Sequence, residues 1–113
     1  MIPKPGSAQE IRLYDELLAG NCAHIRFHVI IESADGLENV HDIAQASPRI
    51  ASLLFGAVDL SASLRAEKTW ETMLYARSRV VHAAPRVGPH PICAPSPTLH
   101  DAPRPAAPAP RRP

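Results

Sequence analysis

Cysteine is scarce in this 113-residue chain, which carries only Cys22 and Cys93. Two thiols without metal-ligand spacing exclude a disulfide scaffold and give no zinc pattern. Aromatic side chains number five, Tyr14, Phe27, Phe55, Trp70 and Tyr75, so any core must be mainly aliphatic. Excess charge is missing too. A formal net charge of +1, with no dense basic patch before the C-terminal tail, excludes a nucleic-acid or anionic-membrane binder. No stretch approaches the roughly 18 consecutive apolar residues that a membrane helix needs. Pro3, Lys4, Pro5 and Glu10 interrupt any N-terminal apolar run, so no secretory leader is expected. A reduced, cytoplasmic location is the expectation that follows.

Proline is rare in one part of the chain and dense in the other. Residues 1–84 hold three prolines and residues 85–113 hold ten. Each proline removes a backbone donor and fixes φ, so the later segment sustains neither helix nor central strand. It is expected to be a disordered, Pro-rich tail, leaving 1–84 as the folded domain. A domain of that size buries only about two thirds of its unfolded surface.

Within 1–84 the apolar pattern is regular. Ser7 followed by Glu10 has the form of a capping box, and Ile11, Tyr14, Leu17 and Leu18 recur at helical spacing, which predicts a helix over 7–19. Residues 25–31, IRFHVII, read as a strand covered on both faces. A helix is predicted over 36–46, with Leu37, Val40, Ile43 and Ala44 on one face and Pro48 beyond its end. A second buried strand follows over 50–55, IASLLF, and Gly56 allows a sharp exit. The longest helix is predicted over 67–84, with Trp70, Met73, Leu74, Val80 and Val81 as its stripe. Strands and helices alternate with a period of roughly 25–30 residues, the size of a βα unit. That order implies a parallel sheet with helical crossovers.

Two acidic residues stand where the greasy strands stop. Glu32 directly follows the first strand and Asp59 lies just beyond the second. In a parallel α/β sheet both then sit at the loop-bearing face where ligands bind. Neighbouring parallel strands lie about 4.8 Å apart, close enough for two carboxylates to share an ion. Magnesium is typically held by one or two carboxylates plus water and substrate oxygens. Acidic residues after strands also serve as helix caps, and Asp35 suits a helix beginning near Gly36.

The segments IPKPGSAQEIRLYDELL, VIIESADGLENVHDIAQASPRI, LLFGAVDLSASL and YARSRVVHAA together resemble the HpcH/HpaI aldolase and citrate lyase β-subunit family over about residues 2–84. The resembling features are a Pro-Lys strand end, an Ile-Glu-Ser strand end, a Phe-Gly-x-x-Asp-Leu strand end and a Tyr-Ala-Arg-Ser helix. The resemblance implies a TIM (β/α)8 barrel, of which this chain would be a fragment of about half. It implies magnesium-dependent carbon–carbon lysis of 3-hydroxyacyl-CoA thioesters of citramalyl, malyl or citryl type, in an enzyme that forms homo-oligomers. It implies Glu32 and Asp59 as the Mg2+ ligands. Glu32 and the backbone around Gly56, Val58 and Asp59 would meet the substrate's acid end. Two alternatives stand beside this: a truncated, non-catalytic remnant, and an aldolase acting on a free 2-oxo acid. The departures are specific. A full barrel needs about 250 residues. Where the family has a further strand ending in aspartate, Pro89 and Pro91 interrupt the run and Cys93 takes the aspartate's place.

Other polar residues have plainer readings. Lys4 belongs to the Pro-Lys pair and either meets an anionic substrate group or is simply solvated. Arg77 is expected in a structural ion pair. His24 and His28 lack further metal ligands, Trp70 is expected in the core, and Cys93 has no identifiable base. The tail contains a Pro-x-x-Pro spacing.

Overall fold

A computed structural model describes residues 1–87. The Pro-rich segment, Cys93 and the Pro-x-x-Pro motif lie outside the described residues. A 3-10 turn over Ala84–Arg86 is followed by Val87, which is buried.

Three parallel strands lie in the order β1 (Ile2–Pro3), β2 (Phe27–Ile31), β3 (Ile50–Phe55). Ile2 pairs with Val29 and Pro3 with Ile30, then Val29 with Leu53 and Ile31 with Phe55. The register shifts between Phe27 and His28, because Phe27 faces Ile50 whereas His28 faces Ser52. Ala51 is the extra residue, and this bulge lets both Ile50 and Leu53 contribute to the core.

Among the described residues five α-helices connect and cover the strands: α1 (Ala8–Leu17), α2 (Ala34–Glu38), α3 (Val40–Ala44), α4 (Ala57–Leu64) and α5 (Trp70–Ala83). One core cluster joins Phe27, Val29, Ile31, Leu53 and Phe55 of the sheet to Ile11, Val40, Ile43, Leu60, Met73 and Val80 of the helices. Coverage of both sheet faces, expected from the apolar runs, is not what the described residues show. His28 on the opposite face is exposed, and Ile30 and Leu54 are only half-buried. His28 Nδ1 lies 2.6 Å from the buried Ser52 Oγ on the neighbouring strand, a pairing that accounts for His28 without a metal.

Local signals explain most helix boundaries. The Ser7 side chain accepts from the Glu10 N–H, capping α1 as expected. Ile11 is fully buried, but Tyr14 and Leu17 are exposed, so the predicted stripe is narrower than its spacing suggested. The helix expected over 36–46 is two short helices beginning at Ala34. Ser33, not Asp35, is the cap, accepting from the Gly36 N–H at 3.1 Å. The break falls at Asn39, whose side-chain amide donates to the Gly6 carbonyl at 2.8 Å and thereby ties the end of α2 to the β1 exit. The predicted buried positions Leu37, Val40, Ile43 and Ala44 are all buried. A reciprocal Thr69–Thr72 capping box starts α5 later than expected. Its buried face is Met73, Ala76, Val80 and Ala83; Trp70, Leu74 and Val81 are exposed, contrary to expectation. No helix among the described residues is long and apolar enough to cross a membrane.

Candidate functional site

The C-terminal ends of the three strands converge on one cleft of about 240 Å³, lined by Lys4, Glu32, Ser33, Asp59, Ala62 and Ser63. Each wall follows from chain order. Lys4 follows β1, Glu32 and Ser33 follow β2, and Asp59 sits in the first turn of α4, four residues beyond β3. Parallel strands deliver their following residues to the same face, so segments far apart in sequence become neighbours. The two carboxylates singled out from the sequence are therefore brought together.

Two backbone links hold the carboxylate-bearing loops in place. The Gly56 N–H donates to the Ile31 carbonyl at 2.9 Å, extending the ladder to the strand ends. The Ala34 N–H donates to Ser63 Oγ at 2.9 Å, tying the loop after β2 to α4. Gly56 is sterically required. A methyl group there would stand 2.6 Å from Glu32 Cβ and 2.8 Å from Glu32 Oε2. The Glu32 side chain lies directly over the glycine, and no larger residue leaves it that path. Gly56→Ala is therefore expected to displace Glu32 and to cost roughly 1–3 kcal/mol through overpacking. Thermal unfolding measures the loss; an unchanged midpoint would show that Glu32 does not need this cradle.

Val58 is half-exposed, at 54 % of its surface, in the first turn of α4. Its side chain contributes nothing to the core. The first N–H groups of α4 have no side-chain cap, since Gly56 stands at the N-cap position. Main chain, rather than side chain, is what Gly56 and Val58 present here.

Lys4, read from the sequence as either meeting an anionic substrate group or simply solvated, faces Asp59. Its ammonium lies 3.0 Å from Asp59 Oδ2, with both side chains about half exposed. The hydrogen bond and charge of Asp59 raise the Lys4 amine above its usual range, burial lowers it, and the charge of Glu32 adds to the rise. The only signal in the sequence was the Pro-Lys pair. No cluster of three or more His, Cys, Asp or Glu side chains suited to a metal occurs among the described residues. The protein's own contribution to a cation would thus be two carboxylates. This donor set fits a hard, oxygen-ligated divalent ion, and the Lys4 ammonium already marks the place where positive charge is held.

Arg77 departs from expectation. Among the described residues it forms no ion pair; its guanidinium stacks 5.2 Å from the Phe55 ring centroid and 4.9 Å from that of Trp70. Arg79 instead docks α5 onto α2, donating to the Leu37 and Glu38 carbonyls at 2.9 and 2.7 Å. His24 lies outside the strands and does not join His28.

Residues 1–92 match the HpcH/HpaI aldolase/citrate lyase family. The chain belongs to this family. Its relatives include an L-malyl-CoA/beta-methylmalyl-CoA lyase of Cereibacter sphaeroides, 40 % identical over 75 residues, which covers 61 % of this chain and 24 % of that enzyme. The malyl-CoA/beta-methylmalyl-CoA/citramalyl-CoA lyase of Chloroflexus aurantiacus is 39 % identical over 69 residues, 56 % of this chain and 20 % of that enzyme. Among solved structures, RipC from Yersinia pestis superposes with a TM-score of 0.76 at 41 % identity, covering 88 % of this chain and 45 % of RipC. The chain spans about a quarter of the length of the curated lyases it matches. As a member of the HpcH/HpaI family it shares ancestry with lyases of CoA esters, and the parallel sheet is consistent with part of a TIM-barrel-type domain.

Proposed function

We propose that residues 1–87 form the cation-bearing segment of a TIM-barrel carbon–carbon lyase that acts on malyl- or citramalyl-type CoA thioesters. The observation that carries this reading is the position of Glu32 and Asp59. They line one cleft at the ends of adjacent parallel strands, inside the segment matched by the lyase family. Glu32 and Asp59 would hold a divalent cation, Mg2+ being the ion that best suits two carboxylates and water. When bound, such an ion supplies Lewis-acid polarisation of the oxygen on the carbon being cleaved. The segment's own residues would add binding and orientation. The free N–H groups at the start of α4, beside Gly56 and Val58, face the substrate's carboxylate, an arrangement favoured by the helix dipole. Cleavage breaks one carbon–carbon bond and yields a 2-oxo acid and a shorter acyl-CoA.

A chimaera tests this reading. Residues 1–87 replace the matching segment of the C. sphaeroides lyase, and malyl-CoA cleavage is followed with and without added magnesium. Magnesium-dependent cleavage is the expected result. A folded chimaera that leaves malyl- and citramalyl-CoA intact but cleaves a free 4-hydroxy-2-oxo acid would move the assignment to an aldolase. One that cleaves neither would contradict the reading.

A further inference from the structure

We infer that Lys4 is a resident counter-cation, whose ammonium occupies the carboxylate cleft until a divalent ion displaces it from Asp59. The inference rests on the reading of Glu32 and Asp59 as a cation site. Three observations carry it beyond that reading.

The first is the contact itself. Lys4 Nζ stands 3.0 Å from Asp59 Oδ2, so one carboxylate needed by a cation is already engaged. The second is charge balance. The Lys4 ammonium is the positive group that lines this cleft beside the Glu32 and Asp59 carboxylates. Two neighbouring carboxylates repel each other, and the ammonium offsets that repulsion while the site holds no ion. The third is ease of release. Lys4 and Asp59 retain 57 % and 47 % side-chain exposure, so the ammonium can swing into water without leaving a buried charge behind. Lys4 also holds φ of +49°, in the left-handed region that side-chain-bearing residues rarely adopt. The β1 exit is thus set so that the lysine points across the cleft rather than away from it.

Competition of this kind weakens apparent cation affinity by the strength of the pair it must break. For a half-exposed ion pair the penalty is modest, so removing the ammonium should tighten binding by about three- to tenfold. A tightly coordinated divalent ion wins easily, whereas a monovalent ion at cellular concentration gains too little to displace a covalently tethered ammonium. Lys4 would therefore act as a threshold and a filter for charge.

The test uses the full chain and Mn2+ as a spin-active probe, with free Mn2+ counted by electron paramagnetic resonance. Lys4→Met removes the charge and keeps the strained backbone; Lys4→Gly removes both. Both variants should bind Mn2+ more tightly than the parent chain by a similar factor. In the parent chain, saturating Mg2+ should shift the Lys4 side-chain NMR resonances toward those of a free lysine. Unchanged or weaker binding in both variants would overturn the counter-cation role, as would tightening in Lys4→Gly alone, which would assign the effect to backbone strain. Glu32→Gln and Asp59→Asn separate the two levels. If they lose Mn2+ while Lys4→Met changes nothing, the cation site stands and the inference about Lys4 fails. If they bind as the parent does, the cation site itself fails and the inference falls with it.

Discussion

Arg49→Ala is expected to lower folding stability by about 3 kcal/mol, among the largest effects of a single substitution outside the aliphatic core. Only 8 % of this arginine remains exposed. Its Nε donates to the Ile25 carbonyl at 3.0 Å, one terminal nitrogen to the Cys22 carbonyl at 2.7 Å, and the other to the Asp15 carboxylate at 3.1 Å. The guanidinium also stacks 4.7 Å from the Phe27 ring centroid. One side chain therefore satisfies the backbone of the loop between α1 and β2 and fixes where β2 begins. Truncation takes the guanidinium donor from the Ile25 carbonyl and the Asp15 carboxylate and leaves the Cys22 carbonyl only the Ile25 N–H, at about 1–3 kcal/mol for each acceptor left unpaired where water cannot reach. Lysine cannot reproduce the planar fork, so Arg49→Lys should recover only part of the loss. Urea unfolding measures both. A loss below about 1 kcal/mol for Arg49→Ala would show that water replaces the fork.

The largest catalytic effect is expected in the chimaera with the C. sphaeroides lyase. Glu32→Ala or Asp59→Ala there should lower kcat/KM for malyl-CoA by about a thousandfold, equivalent to roughly 4 kcal/mol of transition-state stabilisation. The reasoning is electrostatic. Carbon–carbon cleavage builds charge on oxygen and on the departing thioester fragment, and fixed positive charge nearby is a large contributor to lowering such barriers. Under the proposed reading each carboxylate would also neutralise and orient a bound cation, so the loss should appear in kcat and not only in KM. Val58→Ala is the internal contrast. Its side chain is half-exposed, and only its main chain is assigned a role, so the rate should stay within about threefold. Activity within tenfold of the parent chimaera after Asp59→Ala would remove that residue from the site.

Much of this arrangement is legible in the sequence, and the failures have physical causes. Strand β3 was read with its observed bounds because IASLLF is short, apolar and flanked by Pro48 and Gly56. The cleft was legible in part, since a carboxylate after each of two buried strands is a local signal whose spatial meaning follows from parallel topology. Strand β1 was legible only as the Pro-Lys strand end of the resemblance, because two residues have no periodicity; Ile2 and Pro3 are a strand only through Val29 and Ile30. Helix α4 was missed as well. It has no side-chain cap and begins directly after the strand, so AVDLSASL reads as a continuation of an apolar run. Asn39 splits the predicted 36–46 helix through its bond to Gly6, 33 residues away, which no helical pattern contains. Arg49 offers no local signal, and Lys4 only its pair with Pro3, for the same reason. Their partners Asp15, Cys22, Ile25 and Asp59 are distant in sequence, and only tertiary structure brings them into reach.

The central claim is that Glu32 and Asp59 form one divalent-cation site, and the melting temperature of the full chain in millimolar magnesium tests it most directly. An ion that binds only the folded state stabilises it by mass action, and here it would also relieve repulsion between the two carboxylates. A small, saturable rise of about 2–4 °C with MgCl2 is expected beyond that seen at equal ionic strength in NaCl, since about 1 kcal/mol shifts a domain of this size by several degrees. Glu32→Ala and Asp59→Ala should each abolish the rise. A full magnesium response in either alanine variant would contradict the two-carboxylate site.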